Sequence, residues 1–431
     1  MSQEQSLLHR ILDHASRPDP YPLYAELRRT PVWHEAGGPY VISGFQDIER
    51  LLHDPRISSD SRNLATDPGD PLIEAVEAGE NGGAGSGTDG GVSAMLPPGF
   101  LRLDPPEHDR LRRMTNRPFG PPHSPRKVHD MRAELTAVVD GLIDRIGSDA
   151  VADGVDLVGA FAYPFPVTVI CRLLGVPRED EPRFHGWAEA VAASLDPDPD
   201  APDPTERLRA SHDARLALGG YLAALIEDRR RHPGEDMLSR LAAGGGPDGP
   251  MSTMELLTTS ALLLVAGHET TVNLIANGML TLLRHPEALE RLRGDPGFAA
   301  PLVEELLRYE PPVQLLPQRT PLTPVEVRGT TIPPGASMWL VLAAGNRDPE
   351  QFTDPERFDP DRPDLQHLGL GSGIHSCFGA PLARLEAQIA LSRFAARLER
   401  PRLLADPPPY RHNAVLRGPR TLPVACAGVR P

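Results

Sequence analysis

Cysteine is nearly missing from this chain. Cys171, Cys377 and Cys426 are the only 3 among 431 residues, too few and too scattered for a disulfide framework or a four-ligand zinc site. Lysine is scarcer still, since Lys127 stands alone and every other basic residue apart from histidine is an arginine. Basic charge is in deficit, with 44 Lys plus Arg against 59 Asp plus Glu and a formal net charge of −15. A nucleic-acid binder usually carries the opposite balance. Long apolar runs are absent too. No stretch of about 18 residues escapes polar interruption, so no transmembrane helix is expected. The N-terminus, MSQEQSLLHRILDHASRPDP, lacks the apolar centre of a secretory signal. These absences predict a cytoplasmic protein with no membrane or nucleic-acid partner.

What is present describes an ordinary globular chain, 40% apolar and 24% charged. Helical periodicity dominates. Leu135, Val138, Val139, Leu142, Ile143 and Ile146 follow three-four spacing, and similar patterns run over 216–229 and 380–398. Strand-like pieces are fewer. Val32 to Ser43 predicts a hairpin turning at Gly37-Gly38, and Val325 to Leu342 predicts another around Thr330 to Ala336. The fold class is therefore mainly α with small β-sheets, read as one domain over 1–431. Two segments read as linkers or lids: the glycine-rich 78–93 and the acidic, proline-spaced 195–205, the latter expected to be extended.

Three segments carry chemistry. In Gly371-Ser372-Gly373-Ile374-His375-Ser376-Cys377-Phe378-Gly379, glycines flank one cysteine just before a helical pattern. Backbone N–H groups and the helix dipole favour a thiolate there, as an axial ligand to haem iron requires. An inert loop cysteine is the bland alternative. A long helix starts at a capping box, Ser252 and Glu255, and runs into Ala266-Gly267-His268-Glu269-Thr270-Thr271. Glycine and paired threonines cost that helix about 2 kcal/mol relative to alanines, a local conflict that marks a functional site. The zinc motif H-E-x-x-H fails because position 272 is Val. Finally, Glu305 and Arg308 stand three apart and can pair on one helix face. Taken alone, an exposed pair of this kind means little.

Together these motifs resemble those of the cytochromes P-450, in the family's order and over most of the chain. The stretches 345–349 and 352–358 are similar to the family's meander, in which Arg357 would join Glu305 and Arg308. The stretch 108–112 is similar to the bacterial subgroup's H-x-x-x-R. The resemblance implies a large helical lobe with a smaller β-rich lobe, and haem b held by the thiolate of Cys377. It implies His108, Arg112, Arg319 and His375 as partners of the haem propionates. Gly371 and Gly379 shape the cysteine loop, while Ala266 and Gly267 line the space above the haem. Glu269 and Thr270 would be the acid–alcohol pair that delivers protons for oxygen activation. His268 receives no role beyond a structural one.

The implied reaction is hydroxylation or epoxidation of a mostly apolar small molecule, plausible in specialised metabolism. Electrons would come from NAD(P)H through a ferredoxin reductase and a ferredoxin. Arginines 102, 110, 112, 113 and 117 would either dock that ferredoxin or form a merely solvated face. A peroxide-driven relative and a non-catalytic haem sensor are the competing readings. The chain departs from the family at Leu370, where phenylalanine is usual, and carries a small insertion at 121–124.

Overall fold

The computed structural model describes residues 6–65, 99–119, 127–147, 154–193, 204–244, 247–363 and 365–431. The glycine-rich 78–93, the insertion at 121–124 and most of 195–205 lie outside them. Pro204 and Thr205, expected to be extended, instead open a helix. Proline at a first turn costs nothing, because its missing N–H would have no intrahelical partner anyway.

The longer helices are α1 (Tyr21–Arg28), α2 (Phe45–His53), α3 (Glu107–Phe119), α4 (Arg132–Ile146), α5 (Pro164–Leu174), α6 (Glu181–Ala193), α7 (Pro204–Arg231), α8 (Thr253–Arg284), α9 (Pro286–Gly294), α10 (Ala299–Tyr309) and α11 (Ala380–Arg397). The expected periodic segments coincide with α4, α7 and α11, except that Leu398 already belongs to a strand. Helix α8 begins where its capping box predicts: Ser252 Oγ accepts from Glu255 N at 3.2 Å, and Glu255 accepts from Ser252 N at 2.8 Å. Its 32 residues span about 48 Å and pack against α5, α7, α10 and α11. A run that long, buried on most sides, forms the axis of the helical core.

The strands of the described residues are β1 (Val32–His34), β2 (Tyr40–Ile42), β3 (Ile57–Ser58), β4 (Val155–Asp156), β5 (Leu316–Pro321), β6 (Val325–Val327), β7 (Thr330–Ile332), β8 (Met338–Leu340), β9 (Leu398–Glu399), β10 (Arg402–Leu403), β11 (Pro423–Ala425) and β12 (Gly428–Val429). The main sheet has the order β1-β2-β8-β5-β3, with β2 and β8 parallel at Val41↔Trp339. Side chains alternate across it. Val41, Trp339 and Val341 enter one apolar cluster with α1, while Ile42, Met338 and Leu340 enter another with α2. These two clusters build the smaller, β-rich lobe beside the helical one. The β1–β2 hairpin turns at Gly37, as expected. The second hairpin differs. Strands β6 and β7 turn at Arg328-Gly329, both at positive φ, and Pro333-Pro334-Gly335 leads on to β8 in the main sheet. A two-residue turn with left-handed residues matches the twist of an antiparallel pair, so it outcompetes the longer loop.

Glu305 and Arg308 are not an exposed pair. Both are fully buried on α10, joined by two hydrogen bonds of 2.7 Å. Arg308 also donates to the carbonyls of Asn346, Pro355 and Arg357 at 2.8–3.0 Å. The Arg357 side chain was expected to join this pair, but it is exposed and supplies only its carbonyl. Arg362 approaches instead, its Nε 3.8 Å from Glu305. Asn346 then bridges to the cysteine loop, donating to Leu307 O and accepting from Leu368 N.

Candidate active site

The loop that carries Cys377 is fixed from both ends. Gly371 has φ +67°, and Cys377 N donates to Leu370 O at 2.8 Å, closing the loop on itself. Gly373, also at positive φ, lies against the end of α2, where a Cβ would meet Leu52 O at 2.0 Å. His53 adds a 2.8 Å contact to Ser372 Oγ. Gly379 caps α11, and the backbone N–H groups of Gly379 and Ala380 donate to the Cys377 sulfur. Burial pushes the thiol up, while those donors and the guanidinium groups of Arg112 and Arg384 act to bring it down. The residue as a whole still keeps exposed surface.

Around this loop positive groups outnumber their acceptors. Arg112 donates to Ser376 O at 2.7 Å, which places its guanidinium beside the cysteine. His108 and His375 face each other with ring centroids 4.4 Å apart. His108 Nε2 and both ring nitrogens of His375 are buried without a hydrogen-bond partner. Burial, followed by the charges of Arg319, His108 and Arg112, pushes His375 down to about 3. Arg319, placed by a register shift in β5, is brought down to about 10 by burial and by Arg102, with Asp104 opposing. Unsatisfied buried donors are costly, and a ligand with acidic arms relieves the cost. Haem, with two propionates, fits that demand. Arg102 belongs to the group although the sequence reading had counted it only among surface arginines.

Behind the cysteine lies an ion-pair chain. Arg384 donates twice to Glu304, and His367 contacts the same carboxylate at 3.1 Å. Burial raises the Glu304 carboxyl, but the hydrogen bonds from His367 and Arg384 outweigh it and hold it at about 2. Arg384 is thereby kept charged and oriented near the sulfur.

On α8, Ala266 is exposed and Thr270, one turn on, is half-buried, so the two share an accessible face. The Thr270 hydroxyl donates to Ala266 O at 2.8 Å. A Cβ at Gly267 would meet Ile170 Cδ1 at 2.9 Å, so this glycine serves the close packing of α8 on α5. Glu269 is buried, with Arg411 Nη1 3.3 Å from its Oε2 and His268 Nε2 3.6 Å from its Oε1. Arg411 went unseen in the sequence, where 142 residues separate it from its partner.

The expected basic stripe is largely spent internally. Arg102 is half-buried, Arg110 pairs with Glu255, Arg112 turns to Ser376, and exposed Arg113 pairs with Asp248.

A thiol cradled by a helix N-terminus, next to donors awaiting an anionic prosthetic group, defines a haem-thiolate protein. Residues 93–295 and 299–421 match the Cytochrome P450 family, and the chain belongs to it. It is similar to the cytochrome P450 monooxygenase PikC of Streptomyces venezuelae, 41% identical across 94% of this chain and 91% of that protein. It is also similar to the 6-deoxyerythronolide B hydroxylase of Saccharopolyspora erythraea, 35% identical across 95% and 96%. Among solved structures, ligand-free CYP164A2 of Mycobacterium smegmatis superposes with a TM-score of 0.85 at 40% identity, covering 97% of this chain and 99% of that one. The protein is accordingly an oxidoreductase, a haem-dependent monooxygenase whose axial ligand is a cysteine thiolate. Among the described residues no helix is long and apolar enough to cross a membrane.

Proposed function

We propose that Cys377 is the haem ligand and that the chain, acting as one cytoplasmic catalytic unit, oxygenates a mostly apolar polyketide-type molecule. Bound haem supplies oxygen activation, with thiolate donation favouring O–O cleavage and attack on an unactivated C–H bond. The protein supplies the rest. Gly371 and Gly379 shape the cradle that presents the sulfur, and Arg384, held by Glu304, favours its ionised form. Arg102, Arg112, Arg319, His108 and His375 receive the propionates. Ala266 and Thr270 border the reaction space, while Gly267 sets how closely α8 lies on α5. Thr270 hands protons inward from Glu269, which requires its hydroxyl to leave Ala266 O.

The observation that carries this reading is the convergence of His108, His375 and Arg112 on the cysteine loop with buried nitrogens left unpartnered. Two relatives bear on the substrate: the hydroxylase already named, and the polyketide biosynthesis cytochrome P450 PksS of Bacillus subtilis, 32% identical. Electrons arrive from NAD(P)H through a ferredoxin and its reductase. Because the arginines of α3 are mostly engaged, that ferredoxin docks by shape and local pairs more than by a free basic stripe.

The test is the absorption spectrum of the reduced, carbon-monoxide-bound protein. A strongly red-shifted Soret band, lost in Cys377→Ala, is the expected result. An unshifted band in the wild type removes the thiolate and the oxygenation chemistry with it.

A further inference from the structure

Nothing in the reading above uses His268, yet it is among the most constrained titratable groups in the protein. Only 2% of it is exposed, and its Nδ1 lies 2.8 Å from Leu264 O. A carbonyl oxygen can only accept, so Nδ1 carries a hydrogen in every protonation state of this ring. The protonation state is thus decided at Nε2 alone. That atom is buried, has no hydrogen-bond partner, and faces Glu269 Oε1 at 3.6 Å. A bare imidazole lone pair opposite a carboxylate oxygen is repulsive, and in a buried setting the repulsion is poorly screened. One proton placed on either atom turns it into attraction. At 3.6 Å the pair is just outside hydrogen-bond range, and a small side-chain rotation closes the gap.

We infer that His268 and Glu269 share one proton, and that His268 reloads Glu269 after each delivery. His268 is a positioning residue that acts through Glu269, and this inference rests on the reading of Glu269 as proton donor. The balance is simple. On delivery the Glu269 O–H bond breaks, and its proton passes toward Thr270. That leaves a carboxylate beside a neutral imidazole, and solvent next supplies a proton to Nε2. The Nε2–H bond of the imidazolium so formed then breaks as a new O–H bond forms at Oε1, which restores the one shared proton on Glu269 and leaves neutral imidazole. Arg411 at Oε2 stabilises the carboxylate in the interval between delivery and reloading.

Other charged and titratable groups stand near the pair. The Tyr163 ring lies edge-on to His268, with centroids 6.4 Å apart. Burial raises the Tyr163 phenol, and the charges of Glu269, Glu181 and Cys171 add to the effect while Arg411 opposes it. Glu181, the first residue of α6, is half-buried and its carboxyl is raised by burial. The Cys171 thiol, pushed up to about 12 by burial and by Glu181, stays neutral. Tyr163 and Glu181 are both only partly buried, unlike His268 and Glu269.

The primary experiment uses the wild-type holoenzyme in its diamagnetic reduced, carbon-monoxide-bound form, with nitrogen-15 in the histidines. Followed against pH, His268 should keep its Nδ1–H throughout, while the Nε2 resonance passes from that of a bare nitrogen to that of a protonated one, a change that Glu269→Gln should displace. An Nε2 resonance that stays that of a neutral ring across the range, in both proteins, overturns the shared proton. The second readout is NADPH consumption by the holoenzyme with a surrogate ferredoxin pair and no substrate, followed against pH. His268→Gln retains an amide able to donate to Leu264 O but cannot titrate. It should slow consumption on the order of tenfold and remove the inflection at the Nε2 midpoint. If Glu269→Gln is slowed while His268→Gln keeps the wild-type rate and profile, the reloading role falls and the donor role of Glu269 stands. If Glu269→Gln is itself indistinguishable from wild type, both fall.

Discussion

At the residue scale, function and local stability pull in opposite directions on α8. Thr270 is a poor helix former whose hydroxyl bonds back to the carbonyl four residues earlier, a habit that slightly loosens helices. Thr270→Ala should therefore keep or raise the unfolding free energy by a few tenths of a kcal/mol, about what helix propensity predicts. It should also lower product formed per NADPH on the order of tenfold, the electrons leaving as hydrogen peroxide. Urea unfolding and a peroxide assay, run with a compound that shifts the haem spin state, measure the two effects. A variant that loses stability while keeping its product yield would make Thr270 structural. The same opposition made this segment legible in the sequence, since Gly267, Thr270 and Thr271 spend helix propensity inside an apolar helix. Gly267 was legible only as a small residue. What a side chain there would meet depends on helix rotation, and in the structure it is Ile170 of α5.

At the element scale, α10 and the meander are fastened by one buried ion pair. Glu305 accepts from Arg308 and from Asp359 N, and Arg308 spends its remaining donors on three carbonyls. Removing one member strands a charge with no access to water. Glu305→Leu should cost about 3–5 kcal/mol and lower haem retention, because the link through Asn346 to the cysteine loop goes with it. Ser252→Ala, at the exposed start of α8, should cost only about 1 kcal/mol and leave the haem spectrum unchanged. Denaturant midpoints and the reduced carbon-monoxide spectrum separate the two, and equal costs would mean that the buried pair is not the fastener. Both elements were visible in the sequence, but to different depths. A capping box is local, four residues long, so its geometry follows directly from its letters. Burial of Glu305 and Arg308 is decided by chain some 50 residues later, and so was the exchange of Arg357 for Arg362. Once Arg308 takes the Arg357 carbonyl, that side chain points to solvent and Arg362 is the nearer cation.

At the scale of the whole molecule, the sites that sequence reading missed are those built by distant segments. Arg411 reaches Glu269 from the C-terminal region, and Arg102 acts on Arg319 of β5 although some 200 residues separate the two. The cation cluster around His375 makes acidity a threat to the haem-free protein in particular. His375 is pushed down to about 3 from an ordinary value of 6.5, so it folds neutral while the unfolded chain takes up a proton. Stability therefore rises with pH across that window, and acidification removes it from about 6.5 downward. Glu304, held at about 2 against an ordinary 4.5, adds a loss of the same sign, but only below 4.5. Between 6.5 and 4.5 the histidine acts ahead of that carboxylate. Haem carboxylates would give His375 an acceptor and shrink the difference between its folded and unfolded states. The urea midpoint of haem-stripped protein should fall between pH 6.5 and 4.5 more steeply than that of the holoenzyme. His375→Gln should flatten the slope of the stripped form towards that of the loaded one. Parallel slopes for loaded and stripped protein, or an unchanged slope in His375→Gln, would mean that the propionates lie elsewhere and that His108 and His375 serve only to pack the cysteine loop.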